Sequence, residues 1–420
     1  MSFVIKTAKT IRNNWKKSTF LAVAVAWGGS YSKNYFDIQS LMRAYCERAA
    51  WYGQQTIPVT VNSRHITVIL NPNANKRKAQ TEFEKYCAPL LHLAGINVEI
   101  VKTNSEGHAR SLMENLNGAE AIVVAGGDGT LSEVVTGLLR RTNENTNALV
   151  PIGVLPLGKN NTVSRSLFPG ETKLEKVKSL ADATMAVIEE ISKQIDVMKI
   201  EIMNDEDKKP VYAISDIKWG AYRDAEVKKD NYWVFGSLRK YATYIFNGFK
   251  SSLSWNCQAH LLYSPPCSGC SNCYKIQDIQ PKSKWFQGYI KEDQDTLKYK
   301  QINNPHCNQM VEKDIATSDF TLLTSNVVPK KIKDVSKLNI FIGPEKVEYF
   351  DFIRQGWKTE RGENREFKES IEARTLEIHP QIRLEKESWF SIDSEEYEVK
   401  PVKITLLPNL LKMYCKKDTL

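Results

Sequence analysis

No acidic residue occurs before Asp37. Over the same stretch Lys6, Lys9, Arg12, Lys16, Lys17 and Lys33 supply six of the chain's nine net positive charges. There is also no run of about 18 apolar residues of the kind that crosses a bilayer as a helix. The longest early apolar run is Phe20 to Trp27. With 21 glycines and 16 prolines among 420 residues, collagen-like and low-complexity classes are excluded. What is present is ordinary globular composition, 42% hydrophobic and 25% charged, at a length that fits two or three domains. The positive charge suits anionic lipid or nucleotide phosphates, and no nucleic-acid partner is expected.

A basic, acid-free, hydroxyl-bearing start has the composition of a mitochondrial targeting segment. A frayed basic tail is the plain alternative. A secretory signal fits less well, because the cleavage-like Ala22-Val23-Ala24-Val25-Ala26 lies inside the apolar run and not after it. The run followed by Gly28-Gly29 can dip into a bilayer without crossing it.

Three of the eight cysteines, Cys267, Cys270 and Cys273, form C-x-x-C-x-x-C in a Pro/Gly/Ser-rich stretch. Three readings stand open: a zinc site completed by Cys257, His306 or Cys307, a disulfide, or an inert loop.

Residues 1–36 form the basic segment and 37–64 a connecting segment with a short helix around Ser40–Trp51. From His65 the pattern becomes regular. Strands are expected at His65–Leu70, Asn97–Val101, Ala121–Ala125 and Val150–Leu155. Helices lie between them at Lys78–Ala94, Ser105–Leu116 and the run after Gly129. Alternation of this kind predicts right-handed crossovers and a doubly wound parallel sheet, with ligands at the carboxyl ends of its strands. After about Asp196 strands dominate: Val197–Ile202, Val211–Ile217, Gln258–Tyr263, Phe320–Ser325, Leu338–Ile342, Ser388–Ile392 and Glu398–Leu406, with one helix at Ser237–Lys250. The expected architecture is therefore α/β + β: a parallel α/β domain over 65–195, followed by an antiparallel, sandwich-like β domain over 196–420 with a mobile insertion around 264–305.

Gly126-Gly127-Asp128-Gly129-Thr130 carries the most chemical information. A strand delivers it and a helix leaves it, so glycine amides and a helix N-terminus converge where a phosphate can sit. Thr130 is expected to cap that helix, with Glu133 as its capping-box partner. Asp128 is out of place for anion binding alone. A carboxylate beside a phosphate either holds a cation such as Mg²⁺ or takes a proton from an attacking hydroxyl, and phosphoryl transfer needs both. Gly153 to Asn160 imitates a P-loop, but it lacks the Ser or Thr for Mg²⁺ and its interior is apolar.

The strand ending in Asn71-Pro72, the GGDGT loop with its Leu131, Glu133, Val134 and Val135 helix, and Pro156-Leu157-Gly158 together resemble the catalytic fold of the diacylglycerol, sphingosine and ceramide kinases. The basic start, Asn14-Trp15-Lys16-Lys17, Val135 to Thr142 and Ser391 to Glu398 resemble its mitochondrial acylglycerol kinase branch. The resemblance implies an ATP- and Mg²⁺-dependent kinase for monoacylglycerol and diacylglycerol, with the β domain binding the lipid. It implies ATP contacts from Asn71, Pro72, Asn73, Thr103, Gly126, Gly127, Gly129, Thr130, Glu133 and Glu395, with Asp128 catalytic. It also implies Asp128 and Asp393 toward the metal, and Asp224 and Asn161 toward the acceptor. Arg239 is a further candidate for neutralising phosphates, and His108 falls in the family's T-x-x-x-x-H-A element. Location at the mitochondrial inner membrane facing the intermembrane space, and partnership with carrier-translocase subunits, follow from the same resemblance. The chain departs from the family pattern at Asn75–Lys76, where a glycine is usual, at Asn160, which replaces another, and at Thr162, which replaces an Asp.

Overall fold

The computed structural model describes residues 13–55, 63–116, 118–142, 150–170, 172–203, 205, 208–250, 257–267, 270–272, 302–305, 307, 309–327, 335–381 and 388–417. Residues 1–12 of the basic segment, Cys273, His306 and most of the 264–305 insertion lie outside the described residues.

β1 (His65–Leu70), β2 (Asn97–Lys102), β3 (Ala121–Gly126) and β4 (Ile152–Pro156) pair in parallel in the order β2-β1-β3-β4. β3 is buried along its whole length, as a strand covered on both faces must be. Its Ala-Ile-Val-Val-Ala run therefore shows no polar alternation. The expected helix at Lys78–Ala94 is real but broken into Ala79–Glu82, a π turn at Phe83–Cys87, and Ala88–Leu93. Pro89 sits in the first turn of the last piece, where it has no N–H to give to the preceding turn, and the π turn absorbs the break.

The β-rich half is not a separate sheet pair. β5 (Ser192–Ile202), β6 (Val211–Ala213), β8 (Cys257–Ser264), β9 (Val311–Thr317), β13 (Thr375–Pro380) and β16 (Val402–Tyr414) continue the first sheet, giving ten strands among the described residues. β16 is the joint. Met413 pairs in parallel with Ile152 of β4, while β16 runs antiparallel to both β5 and β13. A second, antiparallel sheet of six strands contains β7 (Asp216–Gly220), β10 (Asp319–Thr324), β11 (Leu338–Ile342), β12 (Glu369–Ala373), β14 (Trp389–Ile392) and β15 (Glu395–Glu398), in the order β12-β11-β10-β7-β14-β15. The two sheets close a core that includes Met198, Ile217, Trp219, Leu322, Phe390 and Ile404. The sandwich is thus present, and one of its sheets is the far half of the α/β sheet.

The short helix expected at Ser40–Trp51 is the end of a helix of 39 residues, Trp15–Gly53. Ile38 and Ala49 are buried in the α/β core, whereas Trp15, Phe20, Trp27, Tyr31 and Phe36 are exposed. Among the described residues no helix is long and apolar enough to cross a membrane.

Candidate active site

The carboxyl ends of β1, β3 and β4 deliver their loops to one cleft of about 760 Å³. Asn71, Asn73, Thr103, Gly127, Asp128, Gly129, Thr130, Glu133 and Glu395 line it, all singled out by the sequence. Pro72 and Gly126 are not part of the lining. Asn71 ties β1 to the neighbouring loop: its N–H donates to the Ala125 carbonyl at 3.1 Å and its side-chain amide to Thr130 Oγ1 at 3.1 Å. Asn73 closes an Asx turn by donating to Asn71 Oδ1 at 3.0 Å.

The GGDGT loop lies directly against the loop after β4. A Cβ on Gly158 would stand 2.2 Å from the Cα of Gly127, so the backbones cross where no side chain fits. The contact places Asp128. Its N–H donates to the Asn160 carbonyl at 3.0 Å, and its Oδ2 accepts from the Thr162 N–H at 2.8 Å. Only 4% of the residue is exposed. Burial raises its pKa. Hydrogen bonds from the Thr162 backbone and hydroxyl oppose the rise, and the nearby Asp216 adds to it. Thr162, where the family pattern has Asp, therefore offers Asp128 a donor in place of a second negative charge.

Glu395 reaches the cleft as the first residue of β15, just past the turn that follows β14, and sits over Gly129, whose Cβ position would lie 3.5 Å from Glu395 Cγ. It accepts a hydrogen bond from the Tyr397 hydroxyl at 2.8 Å, and Arg110 is 3.8 Å away. Burial nonetheless pushes its pKa up to about 7. Tyr397 and Arg110 also line a second cavity of about 550 Å³, walled by Ile200, Ile202, Val211, Phe390, Ile392 and Val402 and rimmed by Arg140, Lys208, Lys209 and Lys400. The Glu395–Tyr397 hydrogen bond is the polar link between a polar cleft and an apolar, basic-rimmed one.

One sequence-based expectation needs correcting, and three further residues singled out by the sequence stand in contacts of their own. Glu133 does not form a capping box with Thr130. Its two oxygens accept from the N–H groups of Gly107 and Ala109 at 2.8 and 3.0 Å, so it caps the neighbouring His108–Asn115 helix. The Asn161 side chain bonds both the N–H and the carbonyl of Gly158, at 3.0 and 2.8 Å, and folds the loop onto itself. Asp393 is absent from the cleft wall. Its oxygens accept from the N–H groups of Ile214, Ser215 and Asp216 at 2.8–3.0 Å, latching the turn after β14 to the β6–β7 junction. Asp224, on the Ala221–Val227 helix, lines neither cavity and pairs with Arg223 at 3.0 Å. His108 serves structure, its Nδ1 accepting from the Asn104 N–H at 3.0 Å.

The sequence left Asp230, Trp233, Ser105, Glu106 and Lys76 without a role at the site, and all five line the cleft. Asp230 bridges Lys159 at 2.6 Å and Arg239 at 3.1 Å, closing the rim opposite the GGDGT loop. Its burial raises the carboxyl, but the two cations hold it below its ordinary value. The Lys228–Leu238 segment that carries Asp230 also leaves Trp233, Val234 and Leu238 exposed. That aromatic-apolar run between charged residues was the available signal. At Asn75, Lys76 and Arg77 the backbone is left-handed, with φ of 49°, 56° and 65°, which explains why the family favours glycine there.

The diacylglycerol kinase catalytic domain family matches residues 65–200 and the acylglycerol kinase C-terminal family residues 214–419. Mitochondrial acylglycerol kinase of Homo sapiens is 36% identical over 97% of this chain and 96% of its own length, and that of Xenopus laevis 34% identical over 99% and 96%. The chain belongs to the acylglycerol kinase family. It is a lipid kinase. A crystal structure of a putative diacylglycerol kinase from Bacillus anthracis str. Sterne shares the fold, with a TM-score of 0.53 at 17% identity over 87% of this chain and all of the other. As a member of the acylglycerol kinase family, the chain carries the whole GGDGT element in its α/β half and supplies the cleft's Glu395 from its C-terminal half.

Proposed function

We propose that this lipid kinase transfers the γ-phosphoryl group of ATP to the free hydroxyl of monoacylglycerol and diacylglycerol, giving lysophosphatidic and phosphatidic acids. The observation that carries the reading is the placement of Asp128. It is a buried carboxylate with a raised pKa, held by Thr162 in a cleft whose lining also offers the glycine backbone of the GGDGT loop, the hydroxyls of Thr103 and Thr130, and the cations Lys76, Lys159 and Arg239. In this reading Asp128 accepts the proton of the attacking hydroxyl, and the amides of Gly127 and Gly129 with Thr130 and Thr103 hold the phosphates. Lys76, Lys159 and Arg239 add positive charge at the rim. The carboxylate oxygens of Asp128 and Glu395 are the hard donors that Mg²⁺ takes when it is shared with phosphate oxygens, so the residues present fit the ion. Bound there, Mg²⁺ would neutralise charge on the transferring phosphate. The apolar cavity behind Tyr397, with its basic rim, suits an acyl chain and a phosphorylated head group.

The same reading places the protein in mitochondria, at the inner membrane facing the intermembrane space. Its support is the acid-free start, the exposed aromatic residues of the Trp15–Gly53 helix and the mitochondrial relatives. That exposed helix also supports a second reading, in which the chain partners carrier-translocase subunits independently of catalysis. A labelled-ATP assay with monoacylglycerol, diacylglycerol, sphingosine and NAD side by side tests the first reading. Turnover of sphingosine or NAD with none of the acylglycerols would overturn it. A reporter fused to residues 1–36 tests location: it should reach mitochondria, and a cytosolic reporter beside a mitochondrial full-length protein would refute that segment as the signal.

A further inference from the structure

β8 and β9 form an antiparallel pair whose register closes at Tyr263 opposite Val311. The chain that connects them converges again just beyond the paired strands. The sulfur atoms of Cys267, Cys270 and Cys307 all lie within 4.8 Å of one another. Cys270 is fully buried and Cys307 is 8% exposed. One backbone contact and one from a side chain hold the two ends together. Ser271 N–H donates to the Ile302 carbonyl at 2.9 Å and Asn272 Nδ2 to the Asn304 carbonyl at 3.2 Å, while a turn within the second end, Cys307 N–H to that same Asn304 carbonyl at 3.2 Å, presents Cys307.

We propose that Cys267, Cys270 and Cys307 bind one thiophilic divalent cation, Zn²⁺ by preference, which clasps the base of the β8–β9 connection. Three observations converge on it. The first is spacing: Cys267 and Cys270 stand at the C-x-x-C separation that lets two thiolates chelate one ion, and Cys307 arrives from the other end of the connection. Tetrahedral Zn–S bonds of ~2.3 Å put sulfurs about 3.8 Å apart, a short adjustment from the observed grouping. The second is the surroundings of the sulfur: Asn304 Nδ2 donates to Cys267 Sγ at 3.5 Å, the kind of contact that steadies a thiolate ligand. The third is burial: among the residues described between β8 and β9, Cys270 and Cys307 are withdrawn from solvent, so two of the three sulfurs are shielded where they meet. The single buried cysteines of the strands and helices, such as Cys87 and Cys257, have no such partners and sit within the apolar cores.

Binding is not a redox step. The three thiols lose three protons to solvent, three S–metal bonds form, and the remaining position takes water or another donor. Cys273 and His306 lie outside the described residues and are not needed for the three-ligand site.

The test uses the full chain purified under reducing conditions without chelator. Elemental analysis should find one equivalent of zinc per chain, and replacement by Co²⁺ should give the thiolate charge-transfer band and intense ligand-field bands of a tetrahedral sulfur site. Cys267→Ser combined with Cys307→Ser should abolish both, while lipid phosphorylation in detergent, which draws on none of these residues, continues. Because a double variant can fail to fold, Asn304→Ala provides a second arm: it keeps all three ligands and should weaken Co²⁺ binding about 10-fold or more. A metal-free protein that shows no cobalt spectrum would overturn the proposal. So would full metal content in the folded double variant, or alkylation showing two of the three sulfurs blocked as a disulfide.

Discussion

A carboxylate that takes a proton from an alcohol works better when its own affinity for protons is raised, and Asp128 is arranged for that. Burial raises its pKa while Thr162 keeps its geometry fixed. Asp128→Asn preserves the shape and can still accept from Thr162 N–H through its amide oxygen. We expect the rate of phosphorylation to fall by about 10²–10⁴-fold, with a melting temperature unchanged or slightly higher because a buried charge has been removed. Steady-state kinetics alongside thermal denaturation separate the two effects. Near-normal turnover would take Asp128 out of the mechanism. Glu395 gives a pH signature. Its folded-state pKa is raised to about 7 from 4.5. Between those values the folded chain keeps a proton that the unfolded chain has released, so this group lowers stability as pH rises through the window and adds nothing further above it. Glu395→Gln has no such penalty. Its melting temperature relative to the parent should therefore climb from pH 4.5 to 7 and level off beyond. A constant difference across that range would show that Glu395 does not hold its proton there.

At the scale of elements, the site is two loops pressed together, and glycine is what lets them touch. Gly158→Ala would drive a methyl group into the Gly127 backbone. We expect a loss of about 1–3 kcal/mol in denaturant unfolding and a raised KM for ATP, since the phosphate loop must yield. An unchanged KM would mean that the contact is not needed for nucleotide binding. The strand-loop-helix grammar of this region was legible in the sequence. His65–Leu70 and Leu338–Ile342 fall at the expected bounds, and the GGDGT loop lines the cleft as its composition requires. Local patterns failed where long-range partners decide. Val211–Ile217 reads as one strand, but Ile214, Ser215 and Asp216 turn their amides to Asp393 and split it. Glu398–Leu406 reads as one strand, but Val399–Pro401 interrupts it and the second piece runs on to Tyr414. β12 and β13 were missed because each is short and Ser370, Glu372, Thr375, Glu377 and His379 interleave the buried Ile371, Ala373, Leu376 and Ile378. The capping partner of Glu133 was misread for the same reason, and the bonds of Asn161 to Gly158 were equally hidden: each side chain bonds a backbone that sequence spacing does not reveal.

For the whole molecule, β16 matters most. Leu411 and Met413 are fully buried in the α/β core, while Ile404 and Leu406 of the same strand belong to the core between the sheets. A chain ending at Pro401 should therefore lose both cores. We expect it to be insoluble or to lack a cooperative thermal transition by circular dichroism, and a soluble, cooperatively melting product would refute the joint. The same strand imposes an order on biogenesis. β4 has no hydrogen-bonding neighbour on its outer side until the segment through Tyr414 has left the ribosome, so the kinase half waits, with a bare parallel edge, on residues made some 250 positions later. An unfinished edge of that kind recruits strands from other chains. Such a chain cannot mature from its N-terminus domain by domain. Until β16 arrives that edge is open to strands of other chains, so a message truncated before it is expected to yield an aggregate in place of a shorter enzyme.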